Sequence, residues 1–77
     1  MTFLEALKKE KRWHKRALII NLYHNQKRTK HKKWTQRMTA LKLGISLGAV
    51  NESIKLSKKL IENPELENLS REEALKH

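Results

Sequence analysis

Apolar residues recur along this chain at helical spacing, and no segment alternates apolar and polar positions as a half-buried strand would. Near the N-terminus, Leu4, Leu7, Leu18 and Leu22 fall close together on a helical wheel, with Trp13, Ala17 and Ile20 forming an adjacent strip. No Gly or Pro interrupts Thr2 to Lys27, and Thr2-Phe3-Leu4-Glu5 has the form of a capping box. The pattern predicts one long helix over this stretch. Its weak point is Lys11 and Lys15, which fall near the first stripe between Leu7 and Leu18, so two helices meeting near Arg12 are the rival arrangement.

Asn25 through Lys33 contains no apolar residue and reads as a basic connector. Beyond Trp34, Thr35 is placed to cap a short helix from Gln36 to Leu43, with Met38, Leu41 and Leu43 as the expected buried positions. Gly44 stands where a helix ends in the left-handed conformation, and Ser46 can cap a helix from Leu47 to about Ile61. That helix turns Val50, Ile54, Leu56, Leu60 and Ile61 to one face and leaves Asn51, Glu52, Lys55, Lys58 and Lys59 largely to solvent. Pro64 stops it, and Ser70-Arg71-Glu72-Glu73 repeats the capping-box form before a last short helix holding Ala74 and Leu75. The expected fold is all-α: a small helix-turn-helix domain with a long basic N-terminal helix and a short C-terminal helix. Residues 1–33 form the basic helix and connector, and residues 34–77 hold the helix-turn-helix and C-terminal helix, in one compact unit.

Charge changes this picture from architecture to partner. The 77 residues carry 18 Lys and Arg against 8 Asp and Glu, a net charge of +10. Residues 1–33 hold eleven basic residues and two Glu, a net +9, whereas residues 34–77 hold seven basic and six acidic residues, a net +1. Such a field orients a molecule on a polyanion, with nucleic acid first among the candidates. With no cysteine, thiolate metal sites, disulfides and thiol nucleophiles are excluded.

The stretch from Trp34 to Ile54 carries the most specific signal. A helix-turn-helix needs a small residue in its first helix so that the second can cross closely, and Ala40 is that residue. Gly44 follows four positions later in the turn, Ile45 plugs it, and Val50 turns back towards the first helix. If the second helix enters the major groove, the outward positions Ser46, Leu47, Gly48, Asn51, Glu52 and Lys55 read the bases. Asn51 can pair with adenine, Lys55 with guanine or a phosphate, Glu52 with cytosine and Leu47 with a thymine methyl. This face is nearly neutral, which assigns phosphate binding to Lys27, Arg28, Lys30, Lys32, Lys33, Thr35, Arg12 and Arg16. The basic connector would then act as an arm along the backbone or in the minor groove.

The run T-x-x-x-x-A-x-x-L-G-I-S-x-G-x-V, followed by N-E-S-I and by the tail from Asn63 to Leu75, resembles the helix-turn-helix of ParB-like partition proteins and of related small phage and plasmid DNA-binding proteins. The resemblance covers about Trp34 to Leu75. It implies a tri-helical DNA-binding fold, and the expected function is that of a small phage or mobile-element transcriptional regulator. The nucleotide-binding and clamp-forming parts of the partition proteins have no counterpart in this chain, so partition activity is not implied.

Four histidines lack the spacing that places two imidazoles on one metal, so no metal or cofactor is expected. Without a Ser/His/Asp grouping or a phosphate-binding glycine loop, an enzymatic role is not expected either. The expected partner is double-stranded DNA, with a homodimer through the first helix as a way of reading two half-sites. The alternative is a basic factor that binds an acidic surface on a replication or transcription enzyme, with the helix-turn-helix as scaffold only. No apolar run approaches membrane-spanning length and no secretory leader is evident, so the expectation is a cytoplasmic protein without a membrane partner.

Overall fold

In the computed structural model, which describes residues 2–77, five α-helices and one 3₁₀ turn follow one another without a strand among the described residues. They are α1 (Phe3–Lys9), α2 (Trp13–Lys30), α3 (Gln36–Leu43), α4 (Leu47–Glu62), the 3₁₀ turn Pro64–Asn68 and α5 (Arg71–Lys76). The elements α2, α3, the 3₁₀ turn and α5 all pack on α4, α2 most extensively, and α1 packs on α2.

The expected single N-terminal helix is two helices that meet at Glu10–Arg12, as in the rival arrangement. The physical reason lies in Leu7 and Ile20, which are buried in the same cluster. A straight helix would hold them roughly 20 Å apart, at 1.5 Å per residue. Breaking the chain lets α1 fold back, and it takes Lys11 out of the apolar stripe. The corner is fastened by polar bonds. The Arg12 amide donates to Glu10 Oε1 (3.1 Å), and the Arg16 guanidinium donates to the carbonyls of Leu7 and Glu10, satisfying the end of α1. Phe3 stands edge-on to Tyr23, 5.4 Å between ring centroids. At the start of α1 the Thr2 hydroxyl accepts from the Glu5 amide (3.2 Å), the first half of the expected capping box.

The connector is also shorter than expected. Asn25 to Lys30 continue α2, leaving only His31–Thr35 as a turn. Gln, Lys and Arg propagate a helix readily, and three cations in the last turn suit its negative dipole end. Lys27, Arg28 and Lys30, read as part of an arm, are therefore mounted on a helix, and Lys32 and Lys33 stay in the turn.

The turn between α3 and α4 follows the expected plan. Thr35 accepts from the Met38 amide, and Gly44 closes α3 at φ 67° and ψ 36°. The Ile45 amide donates to the Ala40 carbonyl (3.0 Å), the long closing bond of a Schellman turn, and Ser46 accepts from the Ala49 amide (3.0 Å). Ala40, Leu43 and Val50 join Leu7 and Ile20 in the main core, while Ala17, Leu56 and Ala74 form a second cluster against Trp13 and Leu75.

Several expected core positions are instead on the surface. Leu4, Leu18, Leu22 and Met38 are exposed, as are Leu41 (78 %) and Ile61 (71 %). On α3 the inward positions are Thr39, Ala40 and Leu43, so Met38 and Leu41 must face outward. On α4 the buried face is Val50, Ser53, Leu56, Ser57 and Leu60. Ser57 belongs there because its hydroxyl donates to the Ala17 carbonyl of α2 (2.9 Å), where two small residues bring the helices together. Lys59, expected in solvent, donates from Nζ to the Ala74, Leu75 and His77 carbonyls (3.3, 2.9 and 3.3 Å) and so caps α5. Ser70 and Glu73 complete the capping box at the start of α5. No helix is long and apolar enough to cross a membrane among the described residues.

Candidate nucleic-acid interface

The outward surface of α4 begins at its cap. Ser46, Leu47, Gly48, Asn51 and Lys55 are exposed on its N-terminal half, with Lys58 next on the same side. Packing Val50 inward against Ala40 is what turns Asn51 and Lys55 outward, since a helix advances about 100° per residue. A side chain at Gly48 would meet nothing within 4 Å, so the fold itself does not demand glycine there. The bare backbone leaves a shallow place on the outward surface. The positive end of the α4 dipole lies beside it.

Glu52 stands apart from the other expected base readers. It is half-buried and its carboxylate pairs with the Arg71 guanidinium of α5. A carboxylate already satisfied by arginine is a poor acceptor for a cytosine amine, so the pair is read as a tie between α4 and α5.

The eight expected phosphate contacts fall into two groups on opposite flanks of α4. Arg28 and Lys30 near the end of α2, Lys32 and Lys33 in the turn, and Thr35 capping α3 are all exposed. Lys27 belongs to this region but is half-buried, its ammonium lying over the rings of Tyr23 (5.5 Å) and Trp34 (5.7 Å). It fastens the turn to α2 by cation–π attraction. Arg12 and Arg16 sit instead at the corner between α1 and α2. Arg16 lines a cavity of about 240 Å³ with Trp13, Ala49, Ser53 and Arg71. Positions 49, 53 and 56 lie roughly 140° round α4 from positions 54, 58 and 61, which border the first group. The Arg16 guanidinium is already engaged by the two α1 carbonyls, so of this pair only Arg12 is fully exposed.

Two cations outside the expected set belong beside the first group. Arg37 is exposed in the first turn of α3, two residues after the Thr35 cap, and Lys58 continues the Asn51–Lys55 stripe. Helical periodicity could have found Lys58, because positions 51, 55 and 58 share one face. Arg37 lay outside the runs of charge that drew attention.

A buried polar network holds these pieces in register. Thr39 Oγ1, fully buried, accepts from Trp34 Nε1 (2.8 Å) and lies 2.7 Å from His24 Nδ1. Burial lowers the His24 pKa from 6.5, and the neighbouring Arg28 charge lowers it further. The imidazole is therefore neutral near pH 7, and its Nδ1 shares one hydrogen bond with the Thr39 hydroxyl, whose direction follows the ring tautomer. One hydroxyl thus joins α2, α3 and the turn that carries Lys32 and Lys33. Among the described residues no group of three His, Cys, Asp or Glu side chains is placed to hold a metal ion. Comparison with protein-family models, with curated proteins and with solved structures finds no match to the chain.

Proposed function

We propose that the chain is a double-stranded DNA-binding protein, a small regulator that places α4 in the major groove. The observation that carries this reading is the joint burial of Ala40 and Val50 across the Gly44 turn, which leaves Leu47, Gly48, Asn51 and Lys55 outward on one helix. Exposed cations at Arg28, Lys30, Lys32, Lys33 and Arg37 lie on α2, the turn and α3, the elements that lead into α4. Phosphate contacts there set position and affinity, while the α4 face supplies base discrimination. Asn51 is the principal reader and Lys55 the second, and Glu52 is left to its structural pair with Arg71. The resemblance of Trp34 to Leu75 to ParB-like helix-turn-helix proteins supports the same reading.

The test is an equilibrium salt titration with duplex DNA. If about six phosphates are engaged, log K falls with log salt at a slope on the order of −5. A slope near zero contradicts the assignment.

A further inference from the structure

Between α2, α3 and α4 lies an open cavity of about 300 Å³, bordered by Asn21, Asn25 and Arg28 of α2, Gln36 of α3 and Lys58 of α4. Its chemistry is one-sided. Two cations and three carboxamides converge from three helices, and no carboxylate lines it. Among the described residues the carboxylates within 4.0 Å of a basic side chain are Glu52, paired with Arg71, and Glu67, beside His14, so neither Arg28 nor Lys58 is neutralised by an acid. In the cavity on the opposite flank two of the three lining cations, Arg16 and Arg71, already hold carbonyl or carboxylate oxygens, and only Lys11 does not. Unpaired cations backed by amide donors are what a phosphate oxygen needs. The position is equally specific. Lys58 follows Asn51 and Lys55 along one side of α4, so a duplex that accepts this helix in its groove brings a backbone strand past this flank.

We propose that this cavity seats a phosphodiester of the DNA backbone, gripped by Arg28 and Lys58 with Asn21, Asn25 and Gln36 as supporting donors. The inference rests on the reading of α4 as the groove-entering helix, and it adds Lys58, Asn21, Asn25 and Gln36 to the DNA-contacting surface. His24 borders the same cavity and reports on it. The groups that face His24 are Arg28 on its own helix, Lys58 on α4, and Thr39 and Trp34 through their shared hydrogen bonds, with no acid among them. A phosphate in the cavity would introduce the missing negative charge and favour the imidazolium.

Two readouts test it. Arg28→Gln with Lys58→Gln is compared with Lys11→Gln with Arg12→Gln, which removes the same charge at the far corner. All four side chains are exposed, so circular dichroism should show both folds intact. The cavity pair is expected to weaken duplex binding by about tenfold or more and to reduce the salt slope by about one, with base preference unchanged. The corner pair should do much less. In parallel, an NMR titration of His24 in the saturated wild-type complex should show its pKa raised above that of the free protein. Equal effects of the two pairs, or a His24 pKa that does not rise in the complex, overturn the proposal while leaving α4 as the reader. Failure of the wild-type protein to bind duplex DNA at low salt overturns the DNA reading, and this seat with it.

Discussion

Thr39 shows how one side chain can matter more than its hydropathy suggests. Its hydroxyl serves both Trp34 and His24. Thr39→Val keeps the shape but strips both partners of their bond, and a loss of about 2 kcal/mol is expected in urea unfolding. Thr39→Ser, which retains the hydroxyl, should lose less. His24 gives this network a pH dependence. Its folded pKa lies below the ordinary 6.5, so the unfolded chain binds the proton more readily. The group's contribution is complete above about pH 6.5 and is lost as the pH falls towards the folded value. Unfolding followed at about pH 7.5 and about pH 5.5 should show this loss in the wild type, and His24→Gln should flatten the difference. None of this was legible in the sequence. A threonine amid Met38 and Leu41 looks like the polar member of an apolar helix, and its value depends on residues 5 and 15 positions away.

The elements divide into those set by local chemistry and those set by packing. Caps and turns were readable because their signals are short-range: Thr35, Gly44, Ser46 and Ser70 each act within a few residues. The break at Glu10–Arg12 was harder to place, since no Gly or Pro marks it. Only the need of Leu7 and Ile20 for a common core forces it. Likewise the end of α2 at Lys30 depends on Lys27 anchoring to Tyr23 and Trp34, a contact across the turn. Within α4, Gly48 separates stability from binding. Replacing it with Ala fills open space and favours helix, so Gly48→Ala should stabilise the fold by about 0.5 kcal/mol in thermal unfolding. The same methyl group should weaken duplex binding if the groove edge approaches the bare backbone there. Unchanged affinity in a stabilised variant would remove Gly48 from the interface.

Taken whole, the molecule measures 33 × 25 × 19 Å, close in its long dimension to one turn of DNA, roughly 34 Å. It holds one helix-turn-helix, so under the proposed DNA reading one copy offers one reading helix. In the sequence the connector Asn25–Lys33 reads as a basic arm, but Lys27, Arg28 and Lys30 lie on α2 and Lys32 and Lys33 in the short turn after it, while Arg12 and Arg16 lie at the corner on the other flank of α4. Charge counting could register the amount of positive charge and not its distribution, because the corner at Arg12 and the helical course of Asn25–Lys30 decide which cations share a side. The outward stripe of α4 was the more legible half of the candidate site, since periodicity alone turns Asn51 and Lys55 outward. The pairing of Glu52 was not legible because its partner Arg71 lies 19 residues away on another helix. The measurement that bears most directly on the DNA reading is a random-sequence duplex selection with the wild-type protein and Asn51→Ala side by side. A short motif enriched by the wild type, with preference relaxed at one base pair by about 1–3 kcal/mol in the variant, is the expected result. No enrichment by the wild type, or the same motif with undiminished preference from both proteins, would contradict base reading by Asn51 on α4.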